Sequence, residues 1–291
     1  VSGRPPGLSV ALGSLPGVTE HRQIETAAGA FDALVAGPPG ARPVLLLHGF
    51  PQAAVAWEHQ VGVLGHAGLR AVAFDQRGYS PGVRPAEVAD YQVDELVGDV
   101  LAVADALGWV EFDLVGHDLG AVVGWHVAAE RPDRLRTFTA VSAPHPAALA
   151  AAQREDEDQA LRSQHVPLLK DRSAERRLSA DNSAALRQLF EWRIPGSAIE
   201  DYVTRLSEPG ALTAALNWFR AERWNVAPDL VSVPTMYVWG TEDVTVGSTA
   251  AFGCAKWVNG PYRFELVEDV SHWVPEEAPD LMTGLLLDHL R

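Results

Sequence analysis

The chain alternates short apolar runs with longer segments of helical period. The apolar runs lie at 44–47, 70–74, 111–115, 135–142, 235–239 and 263–267. Each has strand length, and Val44-Leu45-Leu46-Leu47 carries no polar residue, the pattern of a strand covered on both faces. Between the runs, residues 57–64, 93–107, 121–130 and 279–290 predict helices. In 93–107 the apolar residues Leu96, Val97, Val100, Leu101, Ala104 and Leu107 share one face. Residues 21–26 and 31–36 predict a strand pair turning at Gly29, and the Gly- and Pro-rich residues 1–17 predict an extended arm.

This rhythm breaks once. Residues 147–229 are helical in pattern, offer no convincing strand and hold Trp192, Trp218 and Trp224. Strands alternating with helices on either side of the break predict an α/β fold: a mostly parallel central sheet with helices on both faces. The break is then an inserted helical cap. The expected organisation is a core of residues 1–146 and 230–291 with a cap or lid at 147–229. The charge run Glu155-Asp156-Glu157-Asp158 reads as the acidic first turn of a cap helix. Ligands of such sheets bind beyond the carboxyl ends of the strands, which is where the motifs below fall.

Composition narrows the function. With 291 residues, 47% of them hydrophobic, the chain can bury a sizeable core. A net charge of −15 argues against nucleic acid or an anionic membrane surface as partner. No stretch approaches the roughly 20 apolar residues of a membrane span, and the N-terminal residues hold no apolar run of signal length. The single cysteine, Cys254, excludes an intrachain disulfide and has no metal-ligand pattern around it. These features fit a cytoplasmic protein, monomer or homodimer, acting on a small molecule with no metal or cofactor.

The chemistry centres on Gly116-His117-Asp118-Leu119-Gly120. A strand precedes it and a helix follows it, the layout of a nucleophile elbow, in which a sharp turn lifts the central side chain above the sheet. Serine is the usual occupant; here it is Asp118. A nucleophile needs a base and an acid to orient that base. Gly240-Thr241-Glu242-Asp243 follows one late strand, and Asp269-Val270-Ser271-His272-Trp273 follows the last. Asp243 is the expected acid, with Glu242 as runner-up, and His272 is the expected base. A carboxylate attacking a saturated carbon forms an alkyl ester, which an activated water can then hydrolyse at the carboxyl carbon.

These residues, together with His48-Gly49-Phe50-Pro51, Asp75-Gln76-Arg77-Gly78-Tyr79-Ser80-Pro81-Gly82, Ala143-Pro144-His145-Pro146 and Asn217-Trp218-Phe219-Arg220, resemble the epoxide hydrolase and haloalkane/haloacetate dehalogenase branch of the α/β-hydrolase superfamily. The pattern is closest to the epoxide hydrolases, and the resemblance covers most of the chain. It implies the α/β-hydrolase fold and an oxyanion hole made by the backbone N–H groups of Phe50 and Leu119. It also implies a cis Phe50–Pro51 bond and a structural role for the His48 side chain.

The resemblance also shows departures. The family protonates the departing epoxide oxygen with two cap tyrosines, and the matching positions here are His165 and Phe219. Phenylalanine has no proton to give. Histidine, with an ordinary pKa of about 6.5, could serve, or His165 is a cap residue outside catalysis. Haloalkane dehalogenases carry Trp, and haloacetate dehalogenases Arg, where this chain has Leu119. Trp192 or Trp218 could offer an indole N–H to a leaving group, or could simply pack. The expected function is epoxide hydrolysis to a diol. The alternatives are dehalogenation and an altered-chemistry or ligand-binding homologue.

Overall fold

In the computed structural model, residues 19–221 and 226–291 are described; the expected arm at 1–17 and Trp224 lie outside them. The strands are β1 (Glu20–Thr26), β2 (Gly29–Ala36), β3 (Pro43–Leu47), β4 (Arg70–Phe74), β5 (Phe112–His117), β6 (Leu135–Val141), β7 (Thr235–Gly240) and β8 (Tyr262–Val267). They form one sheet in the order β1-β2-β4-β3-β5-β6-β7-β8. β1 and β2 pair antiparallel, as do β2 and β4; all later pairings are parallel.

The apolar character of β3 follows from its place. Val44 through Leu47 are fully buried. Leu45 and Leu47 join the apolar cluster on one side of the sheet, Val44 and Leu46 the cluster on the other, as the two-residue period of a strand requires. Each such side chain contributes about 1.5–3 kcal/mol by leaving water. From β3 the chain moves outward to β4 and then crosses back to β5 on the opposite side. The carboxyl ends of β3 and β5 therefore flank a topological switch point, where a crevice opens.

Among the described residues, three α-helices precede β6: α1 (Glu58–His66), α2 (Val93–Ala106) and α3 (Leu119–Glu130). In α2, Leu96, Val97, Val100 and Ala104 are buried, while Leu101 and the following Leu107 pack at its margin. Among the described residues, six α-helices then separate β6 from β7: α4 (Pro146–Glu155), α5 (Glu157–Arg162), α6 (His165–Lys170), α7 (Ala174–Gln188), α8 (Gly196–Leu206) and α9 (Ala211–Arg220). α7 is broken where Asp181, Asn182 and Ser183 take positive φ. The acidic run is not a single first turn. Glu155 closes α4, Asp156 caps α5 by accepting the Asp158 N–H at 2.9 Å, and only Glu157 and Asp158 occupy a first turn. Two short helices absent from the sequence reading, α10 (Ser248–Gly253) and α11 (Val274–Glu277), precede the closing α12 (Pro279–His289). No described helix is long and apolar enough to cross a membrane.

Candidate active site

Asp118 stands between β5 and α3 with φ 51° and ψ −121°, a conformation costly for any residue with a side chain. The surrounding glycines make that turn possible. A Cβ on Gly116 would lie 2.4 Å from the Gly120 carbonyl oxygen, and one on Gly120 would lie 2.5 Å from that of Leu47. A Cβ on Gly49 would lie 2.4 Å from the Asp118 Cβ. Removing side chains at these three places brings the end of β3 against the elbow. The Phe50 N–H then donates to Asp118 Oδ1 at 3.0 Å, and the nearby Leu119 N–H also favours the charge of the carboxylate. The Phe50–Pro51 bond is cis. His48 is buried and faces away from the carboxylate chemistry, accepting the Gln76 N–H at Nε2 (3.1 Å); burial pushes its pKa down to about 4.

His272, after β8, reaches both carboxylates. Its Nδ1 lies 2.9 Å from Asp243 Oδ2, and its Nε2 lies 3.4 Å from Asp118 Oδ2. Asp243 is fixed in turn: its Oδ1 accepts the N–H groups of Thr245 (2.7 Å) and Val246 (3.0 Å) and the Thr245 hydroxyl (2.7 Å). Burial opposes charge on all three groups, but their mutual attraction outweighs it. Asp118 falls to about 2, Asp243 is also held low, and His272 rises to about 10 with Asp243 as its strongest support. The resting ring is thus an imidazolium between two carboxylates. Glu242, the runner-up acid, instead pairs with Arg193 at 2.5 Å.

The cap candidates divide. Phe219, on α9, is buried and meets Phe50 edge to face at 5.1 Å, directly beside the N–H that holds Asp118. Trp218 is buried too, but its indole N–H donates to the Arg77 carbonyl at 2.8 Å, so that donor is committed to holding α9 on the core. Trp192 is 70% exposed, in a positive-φ turn between α7 and α8; its indole is at the surface and not in the site. The expectation that either tryptophan offers an N–H to a leaving group is therefore corrected. His165 opens α6 with Nδ1 donating to the Arg162 carbonyl at 2.8 Å. In the neutral ring Nε2 then carries a lone pair, so only the imidazolium could donate from it.

Sequence reading missed several residues behind the site. His117 Nε2 lies 2.9 Å from the His272 carbonyl, and the Ser142 hydroxyl donates to the same oxygen at 2.7 Å. Gln52 links His117 to Glu276, and Glu276 accepts the Tyr202 hydroxyl of α8 at 2.8 Å. His117 lies within one legible motif and Gln52 follows another, but nothing in a linear chain shows that Gln52 bridges His117 to Glu276, 224 residues beyond Gln52.

The strained carboxylate elbow on a parallel sheet, with its histidine and second acid on later strand ends, defines a class. The chain belongs to the α/β-hydrolase fold family, whose pattern matches residues 42–279. Within it, the chain is similar to epoxide hydrolase A of Mycobacterium tuberculosis (strain ATCC 25618 / H37Rv): 32% identical, over 94% of this chain and 98% of that one. It is 30% identical to epoxide hydrolase 4 of Mus musculus, over 90% of this chain and 76% of the relative. Among solved structures, one of the novel epoxide hydrolases from metagenomes of hot environments superposes with a TM-score of 0.84 at 26% identity, covering 94% of this chain and 99% of that one. The protein is an epoxide-hydrolase-like α/β-hydrolase enzyme.

Proposed function

We propose that the protein hydrolyses epoxides to diols through an ester on Asp118. The observation that supports this most is the division of labour between the two oxygens of that carboxylate. Oδ1 is held by backbone N–H, while Oδ2 faces His272. Oδ2 attacks an epoxide carbon, the C–O bond opens, and Oδ1 stays in place as the carbonyl oxygen of the ester. Esterification removes the Asp118 charge that helps raise His272. Its pKa then falls, the Nε2 proton passes to solvent, and the neutral ring, still oriented by Asp243, can take a proton from the attacking water. That water attacks the Asp118 carboxyl carbon. Negative charge develops on Oδ1, where the Phe50 N–H waits, with the Leu119 N–H as the proposed second donor; such a donor is worth about 3–4 kcal/mol to a transition state. The alcohol leaves with that proton from His272, and the new Asp118 carboxyl gives its own proton to the ring, which restores the carboxylate and the imidazolium. The substrate is a small to medium apolar molecule entering between core and cap, with His165 as imidazolium our proposed donor to the epoxide oxygen.

Phe219 favours a second reading. A halide departs without a proton, so a site lacking a tyrosine there suits dehalogenation. The committed Trp218 and exposed Trp192 weaken it, because neither offers an indole N–H to a halide. Incubation with terminal epoxides, haloalkanes and haloacetate separates the two. Diol formation from epoxides is expected; halide release with no epoxide turnover would replace the first reading by the second.

A further inference from the structure

Behind His272 lies a buried chain of polar groups whose protons cannot be assigned without one extra. His117 Nε2 faces the His272 carbonyl at 2.9 Å, and Nδ1 faces the Gln52 side-chain amide at 2.8 Å. The other end of that amide meets a carboxylate oxygen of Glu276, whose second oxygen accepts from Tyr202 at 2.8 Å. Gln52 and His117 are fully buried, so neither can turn to water, while Glu276 at the outer end is partly buried.

A carbonyl only accepts, so the His117 contact to His272 requires N–H at Nε2. In a neutral ring Nδ1 is then an acceptor and needs the NH₂ of Gln52. That exchanges the amide atoms, since the structure sets Gln52 Oε1 against His117 and Nε2 against Glu276; with the oxygen toward Glu276, the contact is a hydrogen bond only if the Glu276 carboxyl carries a proton. The opposite amide orientation makes Nδ1 donate to the Gln52 oxygen, and His117 must then be doubly protonated. Either way the set holds one proton more than a neutral histidine and an ionised glutamate.

The surroundings decide where it sits. Burial, with His272 adding to it, pushes His117 down to about 4 despite Asp118 and Asp243 nearby. Burial pushes Glu276 up to about 7 even with the Tyr202 hydroxyl and the Gln52 NH₂ both donating to it; a Gln52 oxygen in place of that NH₂ favours the acid further. The adjacent charges are engaged elsewhere: Glu277 with Ser271 and Arg193, and Arg205 of α8 with Asp75 and Asp201.

We infer that Glu276 is a positioning residue: it carries the single proton that lets Gln52 and His117 hold the carbonyl of His272, and so the base, for ester hydrolysis. The effect on catalysis rests on the function proposed above; the proton assignment does not. As pH rises through the Glu276 transition the proton is lost. Either an Nε2 lone pair then faces the His272 carbonyl, or the Gln52 oxygen faces another acceptor. Ser142 still donates to that carbonyl, so the base is loosened and not released.

The resting protein, with ¹⁵N-labelled histidine and no substrate, tests the assignment by NMR from about pH 5.5 to about pH 9. The expected His117 pattern is protonated Nε2 and bare Nδ1 at low pH, changing near neutral pH. Glu276→Gln supplies an N–H in place of the carboxyl proton, so the low-pH pattern should persist throughout. Tyr202→Phe removes a bond to the ionised form and should move the change to higher pH. A wild-type pattern that does not change, or a change kept in Glu276→Gln, overturns the inference. In single-turnover ester hydrolysis, the wild type should decline about three- to tenfold on the alkaline side and Glu276→Gln should not. The NMR change without epoxide turnover would refute the proposed function alone; turnover without it would refute the proton assignment alone.

Discussion

The two walls of the site are built differently. On the core side every group hangs from the end of a parallel strand, and the backbone itself does part of the holding. The Phe50 N–H lies against Asp118, the Asp118 N–H is bonded to the Val141 carbonyl of β6, and the Thr245 and Val246 N–H groups grip Asp243. On the cap side the groups ride on helices that meet the core through side chains. Trp218 donates to the Arg77 carbonyl, Arg162 to that of Asp243, and Tyr202 to Glu276. Backbone contacts between neighbouring strand ends leave little freedom of substitution, whereas side-chain contacts from a helix can be exchanged one at a time. The core should therefore fix the reaction type and the cap should tune the leaving group.

This contrast orders the effects of substitution. His272→Ala strikes the core wall hardest. Turnover should fall on the order of 10⁴-fold, with the Asp118 ester accumulating as a substrate-sized gain in intact mass. Normal turnover in that variant would remove His272 from the role of base. Asp243→Asn leaves the ring in place but offers it the wrong partner, for a loss on the order of 10²–10⁴-fold in the same hydrolytic step.

On the cap wall, Phe219→Tyr places a hydroxyl beside Phe50 and should raise the rate on simple epoxides about tenfold. It should help little with alkyl halides, so an equal gain on both would break the assignment of the cap to leaving-group protonation. The smallest effect is expected from Trp192→Ala. An indole 70% exposed to solvent should matter less than about twofold in kcat/KM, and a larger loss would bring that turn back into the site.

The same contrast explains what the linear chain revealed. The sheet was legible because apolar runs such as 44–47 must be buried on both faces. Asp118, Asp243 and His272 were legible because each follows a strand within a short motif. The sequence left the cap tryptophans open between packing and an indole N–H for the leaving group, because side-chain type does not say which way a helix turns: Trp218 spends its N–H on the core, and Trp192 looks outward. The Glu276–Gln52–His117 chain was invisible, since it joins a loop after β3, the end of β5 and the short helix α11 only once the sheet is assembled. α10 and α11 were missed because helices of six and four residues carry too little periodicity to register.

The central claim is that Asp118 bonds covalently to the substrate. A single turnover of an epoxide in heavy-oxygen water, with enzyme in excess, tests it most directly, followed by mass analysis of the peptide containing Asp118 and of the diol. If water attacks the Asp118 ester, the label enters the Asp118 carboxyl group and the first diol is unlabelled. Label in the diol and none in Asp118 would mean that water attacks the substrate directly, with Asp118 acting as a base.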